Sequence, residues 1–397
     1  MKFDRTQLIH RAKVFLYSLI DIEYEQRSMV IEEVIEEVFL PDGYLERFST
    51  FPLEDQSQLK GREDELKNLK TAYDNWKINH APLLVVSDLG EGASTLMYSS
   101  AMLYENLKIV ENNTAIHSKE KLIKILKGVF DLEGEYKSIS SLKEDLFAQE
   151  KEYVLIFENI ERMFLREIKG FQLIEEFLLF IHRTKLRVYW IVTINKYSSY
   201  YLSNVKLFSA NFSSVLKLKP MSSEVLVAEL VSRNQGYKLV YLKPNRLTKK
   251  LNKTLKKAGP ELRQELLKTE YDRSLSLYAK GNISRAIHFA KLSAIRVKDD
   301  TVFLKPYQQK AVPVLTLNEL FLIEALFQHS RLTIIEFNNI LRNTKRETRL
   351  AIEKLVEQNL ILKYQEDSGR VEYGINIIYL IPLKMLMQDR LNRKFVI

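Results

Sequence analysis

The sequence predicts an α/β protein: a core built on a parallel β-sheet, a helical section behind it, and a C-terminal unit of three short helices and a β-hairpin. Three observations predict it. Short apolar runs at 83–86 (LLVV), 153–157 (YVLIF), 188–194 (VYWIVTI) and 212–218 (FSSVLKL) read as strands. They alternate with stretches of helical period, the pattern of a parallel sheet covered on both faces. The first run passes through DLGEGAST into a helix, which is the strand–loop–helix shape of a phosphate-binding loop. From about residue 313 the rhythm changes to three short helices opened by Thr316, Thr333 and Thr344, each a good N-cap, and then a hairpin turning at Ser368-Gly369.

In order along the chain, residues 4–40 carry apolar positions at helical spacing (Leu8, Ala12, Phe15, Leu16, Leu19, then Val30, Ile31, Val34, Ile35, Val38) and read as two amphipathic helices. Such helices either pack onto the next domain or serve as an adaptor for a partner. Pro41-Asp42-Gly43 is a turn, and 41–58 reads as a connector. A core over 59–220 follows, with helices at 59–77, 93–107, 119–128, 140–149 and 170–183 between the strands; Pro220 closes it. Residues 221–312 read as a helical lid, with helices near 260–278 and 282–296, and 313–397 as helices 316–329, 333–341 and 344–359 plus the hairpin. Three helices and a two-stranded ribbon form a winged helix-turn-helix.

The 397 residues suit two or three such units, with 46% hydrophobic residues and only 12 Gly and 9 Pro. The lack of cysteine excludes disulfides, thiolate catalysis and cysteine zinc sites, and the six His stand at no metal-ligand spacing. MKFDRTQLIH lacks the apolar core of a signal peptide, and no stretch approaches the roughly 18 apolar residues that span a bilayer. The expectation is a soluble, cytoplasmic protein. Of the net charge of +9, eight basic residues and no acidic one lie between Tyr237 and Lys257. That run reads either as a contact for nucleic acid or another anionic surface, or as a solvated helix or loop.

The phosphate loop is incomplete. Laid on G-x-x-x-x-G-K-[ST], the first Gly falls on Ser87, the last on Gly92, the Lys on Ala93 and the Ser/Thr on Ser94. Gly90 and Gly92 keep the flexible backbone of the cradle, and Ser94 or Thr95 can offer a hydroxyl to magnesium. Ala93 removes the cation that reaches the β and γ phosphates, so triphosphate affinity should fall unless an Arg or Lys from elsewhere fills in. The second strand ends in Glu158-Asn159, where a magnesium-holding Asp and a water-activating Glu would stand. Glu158 keeps a carboxylate, but Asn159 cannot act as a base. Glu161 is placed either to substitute or to open a helix, and Thr193 and Asn195 sit where a polar sensor of the γ phosphate would end the third strand, unless Asn195 caps a turn. The site reads as a nucleotide cradle without turnover or as a structural relic.

GREDELKNL at 61–69, the loop at 83–95, LIFENIERMFLR at 155–166, WIVTINKY at 190–197 and GNISRAI at 281–287 fall in the order seen in AAA+ and STAND-type P-loop ATPases. The chain resembles their origin-recognition and initiator-like branch over roughly 59–380. The resemblance implies a parallel-sheet P-loop NTPase core, a helical lid and a winged helix, with ATP or ADP and magnesium as the cofactor. It makes Arg62 a neighbour of the adenine pocket, Asn195 the strand sensor, Arg285 the lid sensor of the γ phosphate, and Ser94 and Glu158 the magnesium ligands. Ser87, Ala93 and Asn159 depart from that pattern and put catalysis in doubt.

In a helix-turn-helix the second helix meets the major groove with its N-terminal residues. Here these include Lys345, Arg346 and Arg349, with Arg370 at the tip of the wing. With twelve Lys/Arg against ten Asp/Glu from Pro313 to Ile397, the unit is only slightly basic, and docking to protein stays open. The expected function is that of a degenerate AAA+-like regulator or scaffold, contacting DNA through this helix and through Lys249, Lys250 and Lys253. The alternatives are an ATPase completed in trans within an oligomer, and a protein-interaction subunit with no nucleic acid partner.

Overall fold

Strands made of unbroken apolar runs have no polar face to leave in water, so they belong in the middle of a sheet with helices on both sides. In a computed structural model that describes residues 40–52, 59–206, 208–245, 247–365 and 369–391, this is where they lie. Asp42–Glu46 (α1) falls in the expected connector, and its Tyr44 donates to the Asn234 side chain at 3.1 Å. Glu63–Asn79 (α2) leads to Leu83–Ser87 (β1) and then Ala93–Ser99 (α3). Leu107–Val110 (β2), Lys119–Val129 (α4), Leu142–Ala148 (α5), Tyr153–Phe157 (β3), Gln172–Thr184 (α6), Val188–Asn195 (β4), Lys196–Lys206 (α7) and Ser214–Lys217 (β5) complete the core. The sheet is parallel throughout, in the order β2-β3-β4-β1-β5. Every residue of β1, β3 and β4 is buried.

Side chains alternate across each strand, and the two faces form separate cores. Leu84 and Val86 pack with Leu122 and Leu126 of α4 and Phe177 and Ile181 of α6. Leu83 and Val85 pack on the other face with Leu69 and Trp76 of α2 and Leu96 and Met97 of α3. The edge strands are half-exposed, which is why β2 escapes the sequence pattern. The helix expected over 93–107 stops early: a 3-10 turn spans Ser100–Leu103, where the Ser100 hydroxyl donates to the Met97 carbonyl at 2.7 Å, and Asn106 then takes φ +51°.

After Pro220 come Ser223–Arg233 (α8), Lys238–Tyr241 (β6), Lys249–Lys257 (α9), Pro260–Ala279 (α10), Ile283–Ser293 (α11), Ala294–Lys298 (β7) and Thr301–Leu304 (β8). This section was expected to be wholly helical, and it is not. Its strands form a second sheet, β6-β8-β7. The period-2 runs AIRVK and TVFL pair antiparallel across a turn in which Asp299 has φ +51°.

The last elements are Leu317–His329 (α12), Arg331–Leu332 (β9), Ile334–Leu341 (α13), Lys345–Glu357 (α14), Ile361–Gln365 (β10), Val371–Ile375 (β11) and Leu380–Leu391 (α15). Thr316, Thr333 and Thr344 each close a reciprocal capping box, with Glu319, Glu336 and Glu347. The three helices and the ribbon are as expected; β9 adds a third strand, giving the order β10-β11-β9, and α15 has no counterpart in the sequence reading. One continuous apolar cluster joins α8, α10 and α11 to α12, α14 and α15 through Leu226, Leu275, Ile287, Leu326, Leu355 and Leu383. The helices expected over 4–40, as well as Arg246 and Ser368, lie outside the described residues. Among those described, no helix is long and apolar enough to cross a membrane.

Candidate nucleotide site

In an open parallel sheet, loops leaving the carboxyl ends of the strands frame a crevice. Here they frame a cavity of about 1040 Å³, bounded by the loop after β1, by Glu158, Asn159 and Asn195 after β3 and β4, by Ile283, Ser284 and His288 of α11, and by Arg331, Leu362 and Tyr364 of the C-terminal sheet. Sequence reasoning found the loop and the strand ends. It missed His288 and the whole C-terminal wall, which only tertiary contact brings to the site.

Gly90 and Gly92 both have positive φ, +77° and +88°, so the loop takes a path that a Cβ would strain. A Cβ at Gly90 would also fall 2.8 Å from Cβ of Ser284 and 3.0 Å from Cδ1 of Ile377, because the start of α11 and the turn that begins at Ile377 both close on the loop. Asn282 donates to the Leu89 carbonyl at 2.7 Å, and the Ser284 N–H donates to that of Gly90 at 3.1 Å. The loop carries two carboxylates. The Asp88 N–H donates to Glu91 at 2.6 Å, and Asp88 itself pairs with Lys196 and accepts from Tyr197. Burial raises the pKa of Glu91. Beside this cluster Lys384 of α15 is brought down to about 8, by burial first and by Lys196 second.

Ala93 opens α3 with no charge to offer, and Ser94 and Thr95 line the cavity. Glu158 is 3% exposed, and one of its carboxylate oxygens, Oε1, has no hydrogen-bond partner. Burial pushes it up to about 7, against the Ser94 hydroxyl and reinforced by Glu111 and Glu161. Asn159 takes the left-handed conformation, φ +54°, and its N–H donates to the Thr193 hydroxyl at 3.0 Å. Glu161 accepts from the Ser330 hydroxyl at 2.7 Å and from the Asn195 N–H at 3.3 Å, so it is bound into the structure as an acceptor.

Three expected site residues sit differently. Asn195 borders the cavity, but its side-chain oxygen accepts from the N–H and hydroxyl of Ser198, capping α7, and its Nδ2 donates to Ser330 at 3.1 Å. Both ends of the amide are thus in use, and the turn-capping alternative is the one observed. Arg285 is absent from the cavity lining; it is 1% exposed and donates to the carbonyls of Tyr278 and Ile377, with burial lowering its pKa to about 10. One residue's rotation about the α11 axis puts Ser284 on the cavity side instead. Arg370 is part-exposed and points at carboxylates, donating to Glu372 at 3.0 Å and Glu336 at 2.9 Å. Arg62 does border the cavity, held there by Glu65 at 2.9 Å and by the carbonyls of Lys219 and Glu91. Lys249, Lys250 and Lys253 on α9, and Lys345, Arg346 and Arg349 on α14, are exposed and make no ion pair among the described residues.

A β-sheet of this order, a glycine loop between β1 and α3, a carboxylate after β3 and an Asn after β4 fix the architecture. It is AAA+-like. No family model and no curated protein matches the sequence. Among solved structures, the chain is similar to Cdc6p from Pyrobaculum aerophilum at 11% identity and TM-score 0.42, over 91% of this chain and 99% of that one. It is also similar to a Walker-type ATPase of Pyrococcus abyssi at 15% identity and TM-score 0.34, over 85% and 99%. A third likeness is to the ORC1 protein of Aeropyrum pernix in complex with DNA, at 12% identity and TM-score 0.35, over 84% and 93%. The order of the sheet and the loops at its carboxyl edge carry that architecture.

Proposed function

We propose that this protein is a catalytically degenerate AAA+-like nucleotide-binding switch or scaffold, with a core at 59–220, a lid at 221–312 and a winged helix at 313–397. The observation that carries the reading is the cavity, which is walled by all three sections while the positions for turnover hold Ala93 and Asn159. A ligand there would touch the loop, the lid helix and the C-terminal sheet together, so occupancy would bias how they sit. The residues fit ATP or ADP with magnesium: Ser94 and Glu158 would hold the ion, and the unpartnered Glu158 oxygen is a buried polar atom in need of a donor or a cation. Magnesium would supply neutralising charge at the phosphates; Asn159 supplies no base. DNA is the proposed partner of Lys345, Arg346, Arg349 and the α9 lysines, in a cytoplasmic setting that suits a chain without cysteine. A protein partner or a second copy of the chain is the alternative occupant of that surface.

The test is calorimetry of ATP and ADP with magnesium on the natural protein and on Ala93→Lys, together with phosphate release. Binding without release by the natural protein is the expected result. Absence of binding that Ala93→Lys restores would make the site a relic. Multiple turnover by the natural protein would overturn the degenerate assignment.

A further inference from the structure

The loop lacks its lysine, so a phosphate-binding cavity needs a cation from elsewhere. Among the described residues, five Lys and Arg line it: Lys60, Arg62, Arg162, Arg233 and Arg331. Four of them already face carboxylates. Lys60 stands 3.9 Å and Arg233 3.0 Å from Glu229, Arg62 2.9 Å from Glu65, and Arg162 2.7 Å from Glu372. Arg331 has no ion pair among the described residues; its guanidinium carbon lies 3.8 Å from the centroid of the Tyr364 ring, which also lines the cavity. An aromatic face holds the guanidinium in place without neutralising it, leaving its charge for a ligand.

The backbone around Arg331 is arranged at some cost. Ser330, a non-glycine residue, is held at φ +62°, ψ −51°. Its hydroxyl donates to Glu161 and accepts from Asn195, so this strained residue is pinned to the strand ends of the core. The next residue is thereby delivered to the cavity wall. On β11, Gly374 pairs with Arg331. A Cβ at Gly374 would lie 3.1 Å from the Tyr364 ring, 3.2 Å from the Ser330 carbonyl and 3.4 Å from Cγ of Arg331, so glycine leaves the room in which these two side chains meet.

We infer that Arg331 supplies, from the C-terminal sheet of the same chain, the cation that the loop has lost, and that it binds the phosphates of a nucleoside di- or triphosphate. The inference rests on the nucleotide-binding reading above. Across the same cavity, the unpartnered oxygen of Glu158, a side chain 3% exposed, is a second group in search of a ligand, suited to the magnesium such a phosphate chain carries. A nucleotide held in this way would tie the core to the C-terminal sheet, and the number of its phosphates would set how firmly.

Calorimetry with ATP, ADP and AMP in magnesium on the natural protein, Arg331→Ala, Arg331→Gln and Arg331→Lys tests it. Expected are losses of tenfold or more for ATP and ADP in the Ala and Gln variants, a smaller loss for AMP, and partial recovery in the Lys variant. The Gln variant keeps the stem over Tyr364, and unchanged thermal unfolding shows that a loss is not a loss of fold. Natural-like ATP and ADP affinities in both the Ala and Gln variants would overturn the role of Arg331 and leave nucleotide binding standing. No binding of any nucleotide by the natural protein would remove the underlying reading, and this inference with it.

Discussion

His329, at the end of α12, is 1% exposed, packs with its ring centroid 4.7 Å from that of Phe164, and has no partner for either ring nitrogen. Burial, and after it the Arg166 charge, hold its pKa down to about 3. The unfolded chain protonates this imidazole near 6.5, so the folded state loses stability as pH falls from about 6.5 towards 3, by up to about 1.4 kcal/mol per pH unit. Glu158 works in the opposite sense. Its folded pKa of about 7 lies above the unfolded value of 4.5, so protonation favours the folded state as pH falls between the two. His329→Leu isolates the first effect: its thermal midpoint relative to the natural protein should rise progressively from pH 6.5 to pH 4.5 and stay flat above 7. A difference that does not change with pH would show that the His329 imidazole takes up its proton alike in the folded and unfolded chain. The raised Glu158 predicts a second pH effect. Magnesium-dependent nucleotide binding should strengthen from pH 6 to pH 8 as the carboxylate ionises, and that rise should vanish in Glu158→Gln.

At the scale of elements, an ionic chain crosses from the core to the C-terminal sheet. Arg162, after β3, donates to both oxygens of Glu372 on β11 at 2.7 Å; Glu372 meets Arg370, Arg370 meets Glu336 of α13, and Glu336 meets His117 at 2.8 Å. Glu372 is 1% exposed, and without Arg162 it keeps only the part-exposed Arg370 on one of its oxygens, so Arg162→Met should cost about 3 kcal/mol in urea unfolding. Arg162→Met combined with Glu372→Leu should recover much of that; a single variant costing under about 1 kcal/mol would mean that the pair is solvated. The pairs that cross between the two parts could not be read from the sequence, since they lie as far as 219 positions apart. What could be read was local. The central strands show as apolar runs because both faces are buried, the Thr caps show because each Thr stands at the start of a helical run, and the glycine loop shows by its spacing. The half-exposed strands β2, β6, β7 and β8 were too short or too polar to register. Ala93 and Asn159 were visible as losses, whereas Arg331 was not visible as a replacement, because only the fold carries it to the cavity.

Over the whole molecule, α8, α10 and α11 share one apolar core with the C-terminal helices, and α11 and the C-terminal sheet both border the cavity, so under the proposed function the two candidate DNA surfaces ride on parts that a ligand would clamp to the parallel sheet. The surfaces differ in kind. On α14, Lys345, Arg346 and Arg349 are exposed around a helix start whose cap is complete, while α9 presents a row of lysines over a single buried anchor, Leu255. Phosphate contacts release counterions, and the slope of log affinity against log salt falls by about 0.9 for each contact removed. Arg346→Glu with Arg349→Glu should therefore abolish most duplex affinity at 150 mM salt and flatten the slope by about 2. Reversing Lys249, Lys250 and Lys253 tests α9 in the same titration. If only the second set matters, the contact lies on the lid, and α14 is free to dock protein. If neither set changes a measurable affinity, both assigned surfaces are wrong; and if the natural protein shows no salt-dependent duplex binding, the exposed start of α14 belongs to a protein partner.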